Sequence, residues 1–359
     1  MEPVITVKVL QANNGDCILL SFVDPKGILR NVLIDGGTGR TYSYKDKKGK
    51  VIPGQLKRTI DDLKKENQRI DLLILTHIDD DHIGGILKWF EVDNAHSLID
   101  KVWFNSGSAI AELFEITGQE KFLIPLAEIQ SRDTSVKQGN TFESYITKHR
   151  IWDRRILKAG DEMVFFGATI KMLSPSVEHL KRLLEKWGKE TPSLLTAPKE
   201  NDYSKSLSEL IQNDNYVEDN AIPNGSSIAF LFSYTGKNLL FLADSFPKTI
   251  VDSLKRLNYS EGNPLKVDLV KVSHHGSSGN TSPELLKLIS SKKFIISSNT
   301  EIHNLPNKQC LARIIHVNNE CEIYFNYPEI ISKIFADGDF RTYTKFKAIP
   351  LDADNLVII

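Results

Sequence analysis

The chain has 359 residues, of which 41% are hydrophobic and 25% are charged, and its formal net charge at pH 7 is −1. This length and composition fit a globular protein with a large core, and they exclude a disordered or fibrous chain. The near-zero net charge gives no global electrostatic reason for nucleic-acid binding, so any such contact needs a local basic patch.

The cysteines and the apolar runs predict the cellular setting. Three cysteines, Cys17, Cys310 and Cys321, show no CxxC spacing, which argues against a disulfide framework and against a thiolate zinc knuckle. The first residues lack the basic region and long apolar run of a signal peptide. No apolar run approaches the roughly 20 residues that span a bilayer. We therefore expect a cytoplasmic protein without a membrane contact.

The chain begins with strand-like runs in close succession, at residues 5–10, 17–22 and 31–34. Turn signals rich in Asn, Gly, Asp and Pro separate these runs, a pattern that favours antiparallel hairpins. Apolar residues with helical spacing follow over 56–63, and a short apolar strand follows over 72–75.

The middle of the chain is less regular, and we predict insertions at about 106–155 and 188–222, the second as a surface insertion or a lid. Within the first insertion, residues 148–155 interleave basic and aromatic side chains. This segment either forms a phosphate-binding strip with Trp152 as a stacking platform, or is a solvated face.

The last third again places polar residues directly after strands. Strands over 228–233 and 239–242 form a hairpin that leads to Asp244, and a strand over 267–272 leads to the histidine pair 274–275. Helices lie between these strands. Such a pattern predicts an α/β sandwich with a site at the rim of a sheet.

The turn after the strand over 72–75 concentrates metal-ligand residue types. Two histidines and three aspartates lie within six residues and are followed by Gly-Gly; they are His77, Asp79, Asp80, Asp81 and His82. Carboxylates this close repel each other strongly unless cations lie among them. The turn therefore predicts a metal site.

Further ligand-type residues follow other predicted strands. They are Asp35, Asn224, Asp244 and the pair 274–275. Taken singly, Asp35 fits a turn residue before Gly-Gly, and Asp244 fits a helix cap. Because loops at one rim of a sheet can converge, we expect these residues to share one site with the turn.

These motifs resemble a known family. The pattern His77-x-Asp79-x-Asp81-His82 is similar to the HxHxDH motif of the metallo-β-lactamase fold, with aspartate at the second histidine position. Further segments match in order and together resemble the soluble hydrolase domain of the ComEC competence DNA-uptake family: Gly15 to Leu19, Leu33 to Gly37, Ile83 to Gly85, Leu173 to Pro175, Ala243-Asp244 and Lys271 to Ser277. The resemblance covers about residues 4–320.

The resemblance implies an architecture. We expect an α/β fold, the four-layer αββα sandwich of the metallo-β-lactamase fold. A single domain would cover residues 1–359, with the two insertions at about 106–155 and 188–222. Because no membrane channel accompanies it, the chain would be a free-standing relative.

The resemblance also implies a ligand set for two divalent ions. His77 and Asp79 would bind one ion, and Asp81 and His82 would bind the second. Asp244 would bridge the two ions or lie close to both.

The remaining ligands are less settled by the resemblance. One of His274 and His275 should complete the second site, and the sequence leaves open which. Asn224 stands where the family has a further histidine, and asparagine is a weak neutral oxygen donor. Water, His149 or His179 could complete the first site in its place.

Two divalent ions close together can share a water and present a bridging hydroxide to an electrophile. The ligand set is rich in oxygen, which makes Mn²⁺ a candidate beside Zn²⁺. We expect Asp81 to take part in catalysis as well as in metal binding.

Residues farther from the turn have predicted supporting roles. Asp35 would orient a ligand histidine or the nucleophilic water. His303 would donate a proton to the leaving group or contact phosphate, or else cap the helix that follows it. Asn224, Ser226 and Ser277 would contact substrate oxygens.

The leading prediction is a metal-dependent hydrolase that uses this hydroxide on phosphodiesters, with DNA, RNA or a nucleotide-like molecule as substrate. The first alternative is hydrolysis of esters, lactones or amides at the same site, because one fold hosts many reactions. The second is a degenerate hydrolase fold that binds a partner protein, and its main support is Asn224. No sequence feature identifies such a partner.

Overall fold

The fold is taken from a computed structural model of the chain. The structure describes residues 5–115, 135–187, 201–352 and 355–359. Parts of both predicted insertions, residues 116–134 and 188–200, therefore lie outside the described residues. None of the described helices is long and apolar enough to cross a membrane.

Contacts between Cα atoms group the chain into two compact units, each described here by itself. Unit 1 comprises Met1–Leu157, Ser176–Leu195 and Ile358, and unit 2 comprises Lys158–Pro175, Thr196–Val357 and Ile359. The prediction of a single domain with two insertions stays a prediction.

Unit 1 combines a sheet with helices. Its strands are β1 (Ile5–Val9), β2 (Ile18–Val23), β3 (Leu29–Ile34), β4 (Ser43–Lys45), β5 (Val51–Pro53), β6 (Leu72–Ile74) and β7 (Val102–Trp103). Its helices are α1 (Gly39–Tyr42), α2 (Gln55–Lys65), α3 (Asp80–Val92), α4 (Gly107–Leu113), α5 (Ser135–Lys148) and α6 (Val177–Trp187). In the main sheet β1, β2, β3, β6 and β7 lie side by side in that order.

The direction of these strands positions the predicted site residues. The pairs β1–β2 and β2–β3 are antiparallel, as the turn signals predict, whereas β6 pairs parallel with β3. Parallel neighbours end at the same edge of a sheet. The residues after β3 and after β6, including Asp35 and His77, therefore emerge at one edge.

Glycines allow α3 to approach the loop after β3. A Cβ atom on Gly85 would lie 2.0 Å from the carbonyl oxygen of Gly36, and a Cβ atom on Gly36 would lie 2.7 Å from the backbone nitrogen of Ile86. The backbone of Gly36 donates a hydrogen bond to the carbonyl of His82 over 2.7 Å. The two Gly-Gly steps thus fix the loop that carries Asp35 against the helix that carries His82.

Unit 2 contains a mixed sheet flanked by helices. Its strands are β8 (Glu162–Phe165), β9 (Ala168–Ser174), β10 (Ala229–Tyr234), β11 (Lys237–Phe241), β12 (Leu265–Lys266), β13 (Leu269–Lys271), β14 (Ile289–Ser290), β15 (Lys293–Ile296), β16 (Glu322–Phe325) and β17 (Lys347–Pro350). Its helices are α7 (Leu207–Gln212), α8 (Ile222–Gly225), α9 (Pro247–Arg256), α10 (Pro283–Lys287), α11 (Lys308–Val317), α12 (Ile331–Ile334) and α13 (Asp337–Thr342). A last strand, β18 (Leu356–Ile358), carries residues of both units.

The main sheet of unit 2 has the strand order β17-β16-β15-β13-β11-β10-β9-β8. The hairpin β10–β11 is antiparallel, whereas β11, β13, β15, β16 and β17 are parallel neighbours. The residues that follow β11 and β13 therefore emerge at one edge, as those after β3 and β6 do in unit 1. Sheets and helices mixed in this way confirm the predicted α/β class.

Candidate metal centre

The first candidate ligand cluster lies in unit 1, where β6 leads into α3. Asp79 is the residue before α3, and Asp80 and Asp81 lie in its first turn. The partial positive charge at a helix N-terminus stabilises carboxylates there. His82 is the next residue of the helix and has no exposed surface, and His77 is 3% exposed.

Asp35 organises the histidines of this cluster. Its carboxylate is fully buried and accepts hydrogen bonds from the backbone nitrogen and the hydroxyl of Thr76, both over 2.7 Å. A third hydrogen bond joins the same carboxylate to Nδ1 of His82 over 2.8 Å. Because an ionised carboxylate only accepts, His82 carries a proton on Nδ1, and its lone pair is on Nε2 when the ring is neutral.

The hydroxyl of Thr76 links Asp35 to His77. Its hydroxyl proton goes to Asp35, so the 3.1 Å contact between Thr76 Oγ1 and His77 Nδ1 requires that His77 donates. Both histidines thus carry a proton on Nδ1, and their ring centroids are 4.1 Å apart. A carboxylate or hydroxyl behind Nδ1 is the usual arrangement behind histidines that bind a metal through Nε2.

The neighbouring carboxylates differ in their contacts. Desolvation and the adjacent Asp81 carboxylate raise the pKa of Asp79 to about 6. Asp79 Oδ1 accepts a hydrogen bond from Ser135 over 2.8 Å, and its Oδ2 is 3.8 Å from Nε2 of His77. Asp81 Oδ2 accepts from Asn14 over 3.0 Å. Carboxylates crowded beside imidazole nitrogens are a donor set that fits a divalent cation.

Asp80 differs from its two neighbours. It is exposed, and Gln138 of α5 donates a hydrogen bond to its Oδ1 over 2.7 Å. This contact agrees with the motif, in which Asp80 occupies a position without a ligand role. Asp80 is therefore a matched control for substitutions in the cluster.

Replacing Asp35 with asparagine is expected to weaken metal binding by about 10–100-fold, the usual effect of removing a carboxylate behind a ligand histidine. An amide has one acceptor oxygen and cannot hold both Thr76 and His82 as the carboxylate does. Competition with a chromophoric chelator measures the affinity. The control Asp80→Asn should stay within about threefold, and an unchanged affinity in Asp35→Asn would contradict this role.

The second candidate cluster lies in unit 2, where β11 and β13 end. Asp244 follows β11 and is 2% exposed, and His274 and His275 follow β13 in a short 3₁₀ turn. Both histidines have positive φ values, 45° and 54°, a backbone region in which side-chain-bearing residues are uncommon. Their Nε2 atoms lie 3.6 Å and 3.8 Å from Asp244 Oδ2.

The two histidines have different environments. His275 is 2% exposed, and its Nδ1 contacts the backbone carbonyl of Ser297 over 3.1 Å, so Nδ1 is the donor and Nε2 carries the lone pair. Burial alone would lower the pKa of His274, but the carboxylates of Asp244 and Asp219 raise it to about 9. The burial of His275 and its backbone contact favour it as the ligand, whereas Asp219 and Asn280 hold Nδ1 of the more exposed His274.

We expect His275→Ala to lose about one metal ion per chain, because the neutral Nε2 donor is removed. His274→Ala should keep its metal. Elemental analysis of both variants after identical loading separates the two outcomes. Loss of metal in His274→Ala alone would reverse the assignment.

Asn224 takes part in a hydrogen-bonded network within unit 2. Its side-chain nitrogen donates to Asp219 Oδ2 over 2.6 Å, and Asn280 donates to the same oxygen over 3.1 Å. Asn280 also donates to the backbone carbonyl of Asp244 over 3.1 Å and contacts His274 Nδ1 through Oδ1 over 2.8 Å. Asn224 thus helps to hold the carboxylate that faces His274, which accounts for an amide at this position.

Sequence reasoning missed three residues of these networks: Thr76, Asp219 and Asn280. Thr76 lies directly before the turn, but nothing in the pattern marks its hydroxyl as a link between Asp35 and His77. Asp219 lies in a turn-rich segment, and Asn280 lies beyond the recognised motif. Only tertiary contacts identify them.

The other predicted site residues lie as follows. Ser226 is buried and donates to the carbonyl of Pro223 over 2.6 Å, and the hydroxyl of Ser277 accepts from the backbone of Gly279 over 3.2 Å. His303 lies in an exposed turn between β15 and α11, with a φ of 59°. Their roles toward substrate stay predictions.

The alternative ligands and the basic strip have contacts of their own in unit 1. The backbone nitrogen of His179 donates to the hydroxyl of Ser176 over 3.2 Å. In unit 1, His149 stacks on His96 with ring centroids 3.7 Å apart. Trp152 is partly buried and packs against the core of unit 1. The Cζ atom of Arg154 lies over the Trp152 ring, 5.3 Å from the ring centroid. Arg154 also forms a salt bridge with Glu112. The Trp152 ring and the Arg154 guanidinium of the predicted phosphate-binding strip are therefore already engaged in contacts within unit 1.

Residues 26–167 match the family model of the metallo-beta-lactamase superfamily. This match over part of the chain agrees with the predicted metallo-β-lactamase fold, and the predicted fold class is confirmed. The matched range includes Asp35 and the whole turn from His77 to His82. No curated protein matches this chain.

Solved structures are similar to this chain at low identity. A point mutant of CmlA beta-hydroxylase is 13% identical, with a TM-score of 0.38, over 100% of this chain and 54% of that one. The metallo-beta-lactamase fold protein YhfI from Bacillus subtilis is 12% identical, with a TM-score of 0.40, over 100% and 99% of the two chains. The MIM-2 metallo-beta-lactamase is 11% identical, with a TM-score of 0.31, over 75% of each chain. The chain therefore spans about half the length of the CmlA protein.

Proposed function

We propose that this protein is a metal-dependent hydrolase of phosphodiesters. Residues of the two clusters would hold two divalent ions, Zn²⁺ or Mn²⁺. The observation that carries the proposal is the hydrogen-bonded set in unit 1, in which Asp35 fixes His82 and, through Thr76, His77 with the Nε2 lone pair of each ring beside carboxylates. The superfamily match over this set supports a hydrolase.

The proposed metal ligands divide between the clusters. They are His77, Asp79, Asp81 and His82 in unit 1, and Asp244 and His275 in unit 2. Two divalent ions held by such residues would activate a water and neutralise charge that develops on a phosphoryl oxygen. The high share of carboxylate oxygens is the reason for placing Mn²⁺ beside Zn²⁺.

The chain's own residues have defined tasks in this proposal. Asp35 and Thr76 hold two imidazoles in one tautomer and orientation. Asn280 links His274 to the backbone of Asp244 and so fixes the turn that carries His275. Preorganised groups of this kind need little rearrangement when charge develops during the reaction.

The choice of phosphodiesters rests on two supports. One is the oxygen-rich ligand set, and the other is the resemblance of the ordered motifs to the ComEC hydrolase domain. The net charge of −1 favours the alternative, hydrolysis of esters, lactones or amides, over tight nucleic-acid binding. All three cysteines are buried free thiols, which supports a reducing, cytoplasmic setting.

Hydrolysis assays separate these functions. Metal-loaded protein should hydrolyse bis-p-nitrophenyl phosphate, lose activity in EDTA and regain it with Mn²⁺ or Zn²⁺. Asp80→Asn should retain activity, because Asp80 is held by Gln138. Hydrolysis of a carboxylic ester or a lactone without any phosphodiester cleavage would replace the proposal with the first alternative. A metal-loaded protein that hydrolyses none of them would favour a partner-binding module.

A further inference from the structure

A cleft lies at the edge of the main sheet of unit 2 where its parallel strands begin. Its volume is about 470 Å³, and it is lined by the segments 266–268, 290–293 and 317–320. These segments lead into β13, β15 and β16, which are neighbouring parallel strands. We call it the amino-edge cleft. Asp244 and His275 follow the carboxyl ends of strands in this sheet, so the cleft is separate from them.

Three lysines line the amino-edge cleft, Lys266, Lys292 and Lys293. Lys266 and Lys292 are exposed residues, and neither forms a salt bridge with any residue that the structure describes. Their ammonium groups therefore contribute positive charge to the cleft that no described acid neutralises at contact distance.

The two acids that line the cleft each pair with a lysine outside it. Lys237 Nζ lies 3.5 Å from Asp268 Oδ1, and Lys345 Nζ lies 3.1 Å from Glu320 Oε1. Asp268 also accepts a hydrogen bond from the backbone of Asn238 over 2.8 Å. Both acids thus pair with lysines outside the cleft, and Lys266 and Lys292 leave positive charge on its wall.

Neutral hydrogen-bond donors add to the lysines. Ser290, Ser291 and Asn318 also line the cleft. The hydroxyl of Ser291 already donates to the backbone carbonyl of Lys293 over 3.1 Å, so Ser290 and Asn318 are the further donors. The side-chain nitrogen of Asn318 is buried and has no hydrogen-bond partner among the described residues. A buried donor without an acceptor is rare. Because this nitrogen is buried, a ligand in the cleft would contact it only after the Asn318 side chain turned toward the cleft.

We propose that the amino-edge cleft binds a small molecule that carries a phosphate group. A phosphate dianion offers several acceptor oxygens to lysine, hydroxyl and amide donors, and hydrogen bonds between ionised groups are the strong ones. The cleft volume is in the range of small-molecule sites and leaves room for more than the phosphate itself. This site is independent of the proposed hydrolytic centre.

Calorimetric titration of the full-length protein with inorganic phosphate tests the proposal. We expect binding that weakens at least tenfold in the double variant Lys266→Gln/Lys292→Gln. Glu320→Gln should bind phosphate more tightly, because it removes a negative charge from the cleft wall. Lys333→Gln removes an exposed lysine of α12 outside the cleft and should change the affinity less than twofold.

Three outcomes would overturn the proposal: no binding to the unmodified protein, equal binding to the double variant, or weaker binding to Glu320→Gln. Single-stranded oligonucleotide binding that depends on Lys266 and Lys292, without phosphate binding, would also overturn it in favour of a nucleic-acid surface. Phosphate binding that is lost in EDTA and unchanged in the double variant would place the anion at the metal centre. A thermal melt of each variant confirms that it is folded.

Discussion

Replacing His82 with alanine is expected to lower phosphodiester hydrolysis by at least about 10²–10³-fold, the cost of losing one group that stabilises charge in a reaction. The substitution removes a proposed ligand nitrogen and also takes a hydrogen bond from the buried carboxylate of Asp35. Asp81→Ala should have an effect of similar size. The measurement is kcat/KM on bis-p-nitrophenyl phosphate at a fixed metal concentration.

A histidine elsewhere in unit 1 provides the control. His96 stacks on His149 and contacts the hydroxyl of Tyr145, so His96→Ala removes an imidazole without touching the cluster. Its activity should stay within about twofold, since surface changes away from a site have small effects. Full activity and full metal content in His82→Ala would contradict the assignment of His82.

Replacing Lys308 with methionine is expected to lower the free energy of unfolding by about 3–5 kcal/mol, the usual cost of leaving one charge of a buried pair alone. Lys308 is 1% exposed, and its Nζ lies 2.6 Å from Asp339 Oδ2. Asp339 also accepts hydrogen bonds from the backbone of Leu207 over 2.9 Å and of Ala336 over 3.0 Å. The pair therefore ties together the first turns of α7, α11 and α13.

Urea unfolding followed by far-UV circular dichroism measures this effect. The double variant Lys308→Met/Asp339→Asn should regain part of the lost stability, because the remaining buried group is then neutral. Lys333→Met is the control for an exposed lysine and should change the free energy of unfolding by less than about 0.5 kcal/mol. A loss below about 1 kcal/mol in Lys308→Met would contradict the structural role of the pair.

The candidate cluster of unit 1 could be located from the sequence because its ligand types are adjacent in the chain. The apolar run before the turn predicted β6. The ligand types then lie together because α3 begins within the turn. Asp35 was expected behind a ligand histidine, and the structure joins it to His82. Alternating strands and turns likewise predicted the antiparallel start of the first sheet.

Features that depend on tertiary contacts could not be predicted. The choice between His274 and His275 follows from what each Nδ1 contacts, which no spacing reveals. Asp219 and Asn280 act through side chains brought together by folding. In the same way, Trp152 looks accessible in a basic segment but packs against the core.

Elemental analysis of the purified full-length protein, loaded with Zn²⁺ or Mn²⁺ and then desalted, tests the central claim most directly. We predict about two divalent ions per chain. Both His82→Ala and Asp244→Asn should hold fewer, because each cluster supplies ligands. A protein that takes up no metal, or variants that hold as much metal as the unmodified protein, would contradict the account.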